Sequence, residues 1–155
     1  MQDLYNLQRF VDAQADVYES VLAELRQGRK TGHWMWFIFP QLKGLGFSST
    51  AQFYGIASLA EASSYLEHPL LGPRLIECTR IVNSIEARSL RQIFGTPDDL
   101  KFRSSMTLFA QVTSQNAIFL KAVNQFCSGN FDQATVDRLG SSRKIAPEES
   151  RAVPR

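Results

Sequence analysis

A chain of 155 residues that is 44% hydrophobic is long enough for one domain with a substantial core. Its 17 basic and 15 acidic residues leave a net charge of +2, and that excess sits in the last fifteen residues, so that 1–140 carries thirteen of each sign. A balanced body argues against binding along a nucleic-acid backbone, which needs several phosphates neutralised together. No apolar run approaches the ~20 residues of a membrane-spanning helix. Met1-Gln2-Asp3 lacks the basic-then-apolar layout of a signal peptide. The expectation is a soluble, cytoplasmic protein, monomeric or weakly dimeric. Cys78 and Cys127 fall on apolar helical stripes and read as reduced core residues. With two cysteines, two histidines and no local cluster, neither a metal site nor a cofactor is predicted.

Hydrophobic periodicity is helical along nearly the whole chain. Leu4, Leu7, Phe10, Val11 and Gln14 share one face of a first helix. Asp16 to Glu19 reads as a capping box opening a second helix, with Val17, Tyr18, Val21, Leu22 and Leu25 inward and Gly28 at its end. A short central helix is predicted from Gly32 to Phe39, stopped by Pro40. Gly44 and Gly46 mark a loop, after which Ser49 or Thr50 starts a short helix to Ile56. Ser58 to Glu61 reads as a second capping box, with its helix halted near Glu67 because Pro69 disfavours helical geometry at His68.

Leu71, Leu75, Cys78 and Val82 recur at helical spacing between Leu70 and Asn83. Ser89 to Phe94 is a short helix closed by Gly95. Thr96-Pro97-Asp98-Asp99 places a cap, a proline and two carboxylates at the start of a helix to Val112, with Phe102, Met106 and Phe109 inward. Ser114 caps the next, to Cys127, and a last short helix ends at Gly140. With no sustained two-residue alternation, the class is all-α. The prediction is a single compact domain over 1–140, built of about eight short to medium helices around an aromatic central segment, with a mobile polar tail over 141–155.

That central segment, Gly28 to Gln41, holds both tryptophans, Arg29, Lys30 and His33. It lies in an interval from Leu25 to Ala60 that contains four basic residues and no acidic one. Aromatic rings beside uncompensated cations suit an anionic, ring-bearing ligand, with Trp34 or Trp36 stacking a ring and Arg29 and Lys30 meeting phosphate. The same residues also describe a packed core with a solvated edge, the tryptophans being anchors. Gln41, Lys101 and Ser105 complete the candidate ligand set. Ser105 is a hydroxyl on an apolar stripe, which requires a partner, most commonly the carbonyl four residues back. Asp98 and Asp99 are explained by capping. No nucleophile elbow, phosphate loop or dinucleotide fingerprint is present.

Several stretches together identify a family resemblance: Leu7-Gln8-Arg9-Phe10-Val11-Asp12-Ala13-Gln14, His33-Trp34-Met35-Trp36-Phe37-Ile38-Phe39-Pro40-Gln41, Tyr65-Leu66-Glu67-His68-Pro69 and Ser104-Ser105-Met106-Thr107-Leu108-Phe109. In this order they resemble the bacterial and fungal family known as domain of unknown function 1810, sometimes labelled calpastatin-like, although nothing here looks like a disordered inhibitor repeat. The resemblance implies a compact helical domain and no assigned activity. A looser, fold-level likeness is to the helical family linked with NAD and ADP-ribose metabolism, whose members cleave N-glycosidic bonds. If that chemistry operates here, Asp12, Glu67 and His33 are the catalytic candidates. Two readings follow: a domain that binds, or hydrolyses, a nucleotide-like or ADP-ribose-related anionic ligand, and a non-catalytic protein-interaction module with a buried aromatic core.

Overall fold

The computed structural model describes residues 3–143, and among these it contains ten helices and no strand. They are α1 (Gln8–Gln14), α2 (Tyr18–Arg26), α3 (Met35–Ile38), α4 (Ser49–Tyr54) and α5 (Leu59–Glu67), then α6 (Leu71–Asn83), α7 (Leu90–Phe94), α8 (Asp98–Ala110), α9 (Ala117–Cys127) and α10 (Gln133–Arg143). Three of them, α3, α4 and α7, are short elements of four to six residues, each anticipated as a short helix in chain order. The helix predicted to end at Gly140 continues to Arg143. The remainder of the expected tail, 144–155, lies outside the described residues.

Helix α8 is the centre of the fold, packing against α7, α9, α10, α5 and α3. Every residue from Ser104 to Ala110 is buried, the pattern of a helix enclosed on all sides. Two of its three hydroxyls bond back to the preceding turn: Ser104 donates to the Leu100 carbonyl at 3.1 Å and Thr107 to that of Arg103 at 2.8 Å. Phe39, Phe94 and Phe102 form an aromatic knot joining α3, α7 and α8, with centroids 5.0 to 5.8 Å apart. Aromatic pairs in these geometries add to what area burial alone contributes. Cys78 is buried and Cys127 half-buried, both as free thiols, and burial pushes the Cys78 thiol up to about 12.

Several helix starts differ from the sequence reading, and α2, α8 and α9 begin without a side-chain cap. The Asp3 carboxylate accepts from the backbone N–H groups of Leu7 and Gln8, so α1 begins at Gln8 and Leu4 stays 78% exposed rather than on the core face. Asp16 caps nothing; Val17 precedes α2 without a side-chain cap. Thr96 and Ser114 likewise give way to Pro97 and Asn116. Ser58 does cap α5, accepting from the Glu61 N–H at 3.1 Å, and Ser89 and Gln92 form a reciprocal capping box on α7. Helix α4 starts at Ser49 as expected, capped by Ser48, and ends at Tyr54, short of Ile56.

Candidate functional site

The segment from Gly28 to Gln41 is fixed by one carboxylate from outside it. Glu24, in the last turns of α2, places Oε1 2.7 Å from the Thr31 N–H, 2.9 Å from the Gly32 N–H and 2.9 Å from the Trp34 indole N–H. With those amides satisfied by a side chain, the chain does not turn helical until Met35, and α3 is shorter than predicted. Burial pushes the Glu24 carboxyl up, but the N–H groups of Gly32, Thr31 and Trp34 outweigh it and hold it below its ordinary range. Trp34 is 3% exposed and packs as an anchor. The Lys30 backbone N–H donates to the Ile93 carbonyl at 2.7 Å, tying the segment to α7.

The interval that lacks acids in sequence does not lack them in space. Lys30 Nζ meets Asp98 Oδ2 at 2.8 Å, and Lys101 Nζ meets Asp98 Oδ1 at 3.4 Å. The same ammonium groups lie over the two tryptophans, Lys30 at 5.2 Å from the Trp34 ring and Lys101 at 4.7 Å from the Trp36 ring. Asp98 is thus the hinge of a Lys30–Asp98–Lys101 bridge, and its role is wider than favouring the start of α8. This corrects the reading of Lys30 as an uncompensated cation.

Two depressions flank this bridge. The first, about 360 Å³, lies between the segment and α7 and is lined by Arg29, Lys30, Arg88, Arg91, Gln92 and others. No carboxylate is among its lining residues. Arg29, Arg88 and Arg91 are exposed, and none makes an ion pair among the described residues. Gly28, with φ of +77°, leaves room there: a Cβ at this position would touch Arg88 Cδ and Nε at 3.4 Å, so the Arg88 side chain lies against the turn that ends α2. The second depression, about 570 Å³, opens between α3 and α4 and is lined by His33, Trp36, Phe37, Thr50, Phe53 and Tyr54, with Ser49.

Comparison with known proteins bears on what this arrangement is. The family described as "Protein of unknown function (DUF1810)" matches over residues 4–139. The chain belongs to the DUF1810 family. Among solved structures, the crystal structure of the conserved hypothetical protein Rv1873 from Mycobacterium tuberculosis is similar to it, with 57% identity and a TM-score of 0.88 over 89% of this chain and 99% of that one. No curated protein matches.

Of the residues singled out in this DUF1810 chain, Arg29 and Lys30 line the cationic cleft, and His33 and Trp36 the aromatic groove. Lys101 sits beside the groove, over Trp36. Gln41 is half-buried, its carbonyl accepting from the Ile56 N–H at 2.9 Å across the bridge between Leu42 and Ile56. Ser105 is fully buried inside α8 without a hydrogen-bond partner, so the expected bond to the carbonyl four residues back is not made. Asp12 accepts from Gln8 Nε2 on α1, and Glu67 is exposed at the end of α5; neither lines the cleft or the groove. Sequence reading missed Arg88 and Arg91. Their signal is the three-residue spacing that places two cations around the start of α7, outside the acid-free interval. It also missed Ser49, Thr50, Phe53 and Tyr54, whose approach to Trp36 is a tertiary event. Among the described residues no group of three or more His, Cys, Asp or Glu could hold a metal ion, and no helix is long and apolar enough to cross a membrane.

Proposed function

We propose that the protein binds a small anionic ligand of the nucleotide type, an ADP-ribose derivative included, with phosphate held in the cleft of Arg29, Arg88 and Arg91. The observation that carries this is three arginines lining one concave site whose lining residues include no carboxylate. A guanidinium offers five N–H donors in a planar fork that matches phosphate oxygens. In a body whose charges are otherwise balanced, such a concentration leaves a local field that an anion would neutralise. The reading is of binding alone: Asp12 and Glu67 line neither depression, and His33, at the groove rim, makes no side-chain hydrogen bond among the described residues that would orient it for proton transfer.

Calorimetric titration of ADP-ribose, NAD and simple nucleotides into the protein, wild type beside Arg91→Ala, tests it. Binding is expected to weaken by about 1.5–3 kcal/mol in the variant, the scale of a charge-assisted hydrogen bond. Absence of any heat of binding at millimolar ligand retires the proposal. The alternative, a non-catalytic protein-interaction module, draws on a different observation: Phe47 and Phe53 are 85% and 55% exposed, and exposed apolar surface is a mark of partner contact. It gains ground if no phosphate compound binds.

A further inference from the structure

The groove between α3 and α4 has no part in holding phosphate, yet it is the larger of the two depressions and is rich in aromatic carbon. Phe37 and Tyr54 stand 5.4 Å apart between centroids, and Phe53 meets Tyr54 edge-on at 4.8 Å. Trp36 adds a half-buried indole and His33 an exposed imidazole at the rim. Phe53 remains 55% exposed, an apolar ring left in water beside a concave surface. Polar groups are also at hand. Because Ser48 caps α4, the hydroxyls of Ser49 and Thr50 are not drawn into the helix start, and neither makes a hydrogen bond among the described residues. Aromatic walls with a few free hydrogen-bonding groups are what a planar heteroaromatic ring requires.

The placement of this groove relative to the arginine cleft is set by the chain. Lys30 lines the cleft and His33 the groove; they are three positions apart, which spans at most about 11 Å between α-carbons. The turn between them is held by the Glu24 carboxylate on the Thr31 and Gly32 N–H groups. The Lys30–Asp98–Lys101 bridge also joins the two sites, since Lys101 lies over the Trp36 ring. Asp98, which would otherwise repel an anion passing between them, has an ammonium on each oxygen.

From this we infer that cleft and groove are two halves of one site, and that the ligand carries a planar heteroaromatic ring in the α3–α4 groove, joined by a sugar-length spacer to a diphosphate at Arg29, Arg88 and Arg91. The inference rests on the phosphate assignment made above and adds the ring and its seat. It makes the ligand class a nucleoside diphosphate or its ester, and it excludes inorganic or aliphatic phosphates as full ligands. The ring end contributes affinity without new charge, because it is held at high local concentration once the phosphate is bound.

The test uses the full chain and three probes by calorimetry: pyrophosphate for the anion alone, adenosine for the ring alone, and ADP for both. ADP is expected to bind roughly ten- to a hundredfold more tightly than pyrophosphate, the range of one stacked base. Phe53→Ser is expected to bring ADP down to the level of pyrophosphate. This variant should fold, because the Phe53 ring is more exposed than buried and it is the backbone carbonyl, which serine retains, that accepts from Arg9 Nε at 2.8 Å. Equal affinity for ADP and pyrophosphate in the wild type, or an ADP affinity unmoved by Phe53→Ser, overturns the two-part site while leaving the phosphate cleft standing. If pyrophosphate and ADP both fail to bind, the cleft assignment fails and the two-part site fails with it.

Discussion

Arg9 and Arg91 carry the same guanidinium into opposite circumstances. Arg9 bridges α1 to the start of α5, and each of its five N–H groups has an acceptor. These are the carbonyls of Tyr5, Asn6, Phe53 and Gly55, and Glu61 Oε2 at 2.8 Å. Its side chain is 8% exposed and that of Glu61 4%. Glu61 Oε1 in turn accepts from the Ala57 N–H. Arg91, with Arg29 and Arg88, is exposed and forms no side-chain hydrogen bond among the described residues. A cation whose donors are all filled from within serves the fold and has nothing left to offer. One whose donors face solvent contributes little to the fold and keeps its whole capacity for an outside anion.

The contrast breaks most visibly on the structural side. Glu61→Ala strands the Arg9 charge in a buried site and removes the acceptor of the Ala57 N–H. Loss of one partner from a buried pair costs about 3–5 kcal/mol, and urea denaturation at neutral pH should show a loss of that size. Gln14→Leu follows. Gln14 is 1% exposed; its amide donates to the Phe37 carbonyl at 2.8 Å and to the Tyr65 hydroxyl, and its oxygen accepts from Arg74. Leucine leaves the Phe37 carbonyl and the Arg74 guanidinium each short of a partner, so a loss of about 2 kcal/mol is expected from the same measurement.

Next in size is a pH effect at Glu24, whose carboxylate holds the turn between cleft and groove. Its folded value lies below the ordinary 4.5, so the folded state binds its proton less readily than the unfolded chain does. Its contribution is therefore complete above about pH 5 and is lost as pH falls through the folded value. Asp3, lowered by the Leu7 and Gln8 N–H groups, acts with the same sign. In Glu24→Gln, thermal stability should drop by about 1–2 kcal/mol at pH 7 and should fall less steeply between pH 5 and 3 than in the wild type. An acid limb as steep as the wild type's would remove Glu24 as its cause.

These sites also show what a sequence can and cannot disclose. The Ser58 cap was legible, because a serine three residues before a glutamate is a local pattern. The use of that same Glu61 carboxylate was not, since its partner Arg9 lies 52 residues away. Lys30 stood out for its acid-free neighbourhood, yet Asp98 reaches it from the far side of the chain. The helical class and most element ends were readable, because periodicity and Gly or Pro stops are written within a few residues. The shift of the structural centre from the tryptophan segment to α8 was not. Three hydroxyls within four residues do not announce a buried helix, and it is back-bonding to the preceding turn that lets Ser104 and Thr107 be buried.

The smallest stability effect is the one that discriminates best. Arg91→Ala removes a side chain with no partner among the described residues from a cleft where it faces two like charges, Arg29 and Arg88. Exposed substitutions of this kind stay within about 0.5 kcal/mol. Relief of repulsion among like charges lining one cleft, damped by salt, favours a slight gain. The expected melting temperature in a non-coordinating buffer is therefore that of the wild type or marginally higher. Phosphate reverses the order. A ligand that binds only the folded state raises its stability by RT ln(1 + [L]/Kd), so 20 mM pyrophosphate should lift the wild-type transition and leave that of Arg91→Ala nearly where it was. Glu61→Ala supplies the opposite signature, a lower transition that pyrophosphate raises by the wild-type increment, because Arg9 does not line the cleft. Equal pyrophosphate shifts in wild type and Arg91→Ala would mean that the unpaired guanidinium is no more a ligand than the paired one, and the distinction between the two arginines would lose its functional meaning.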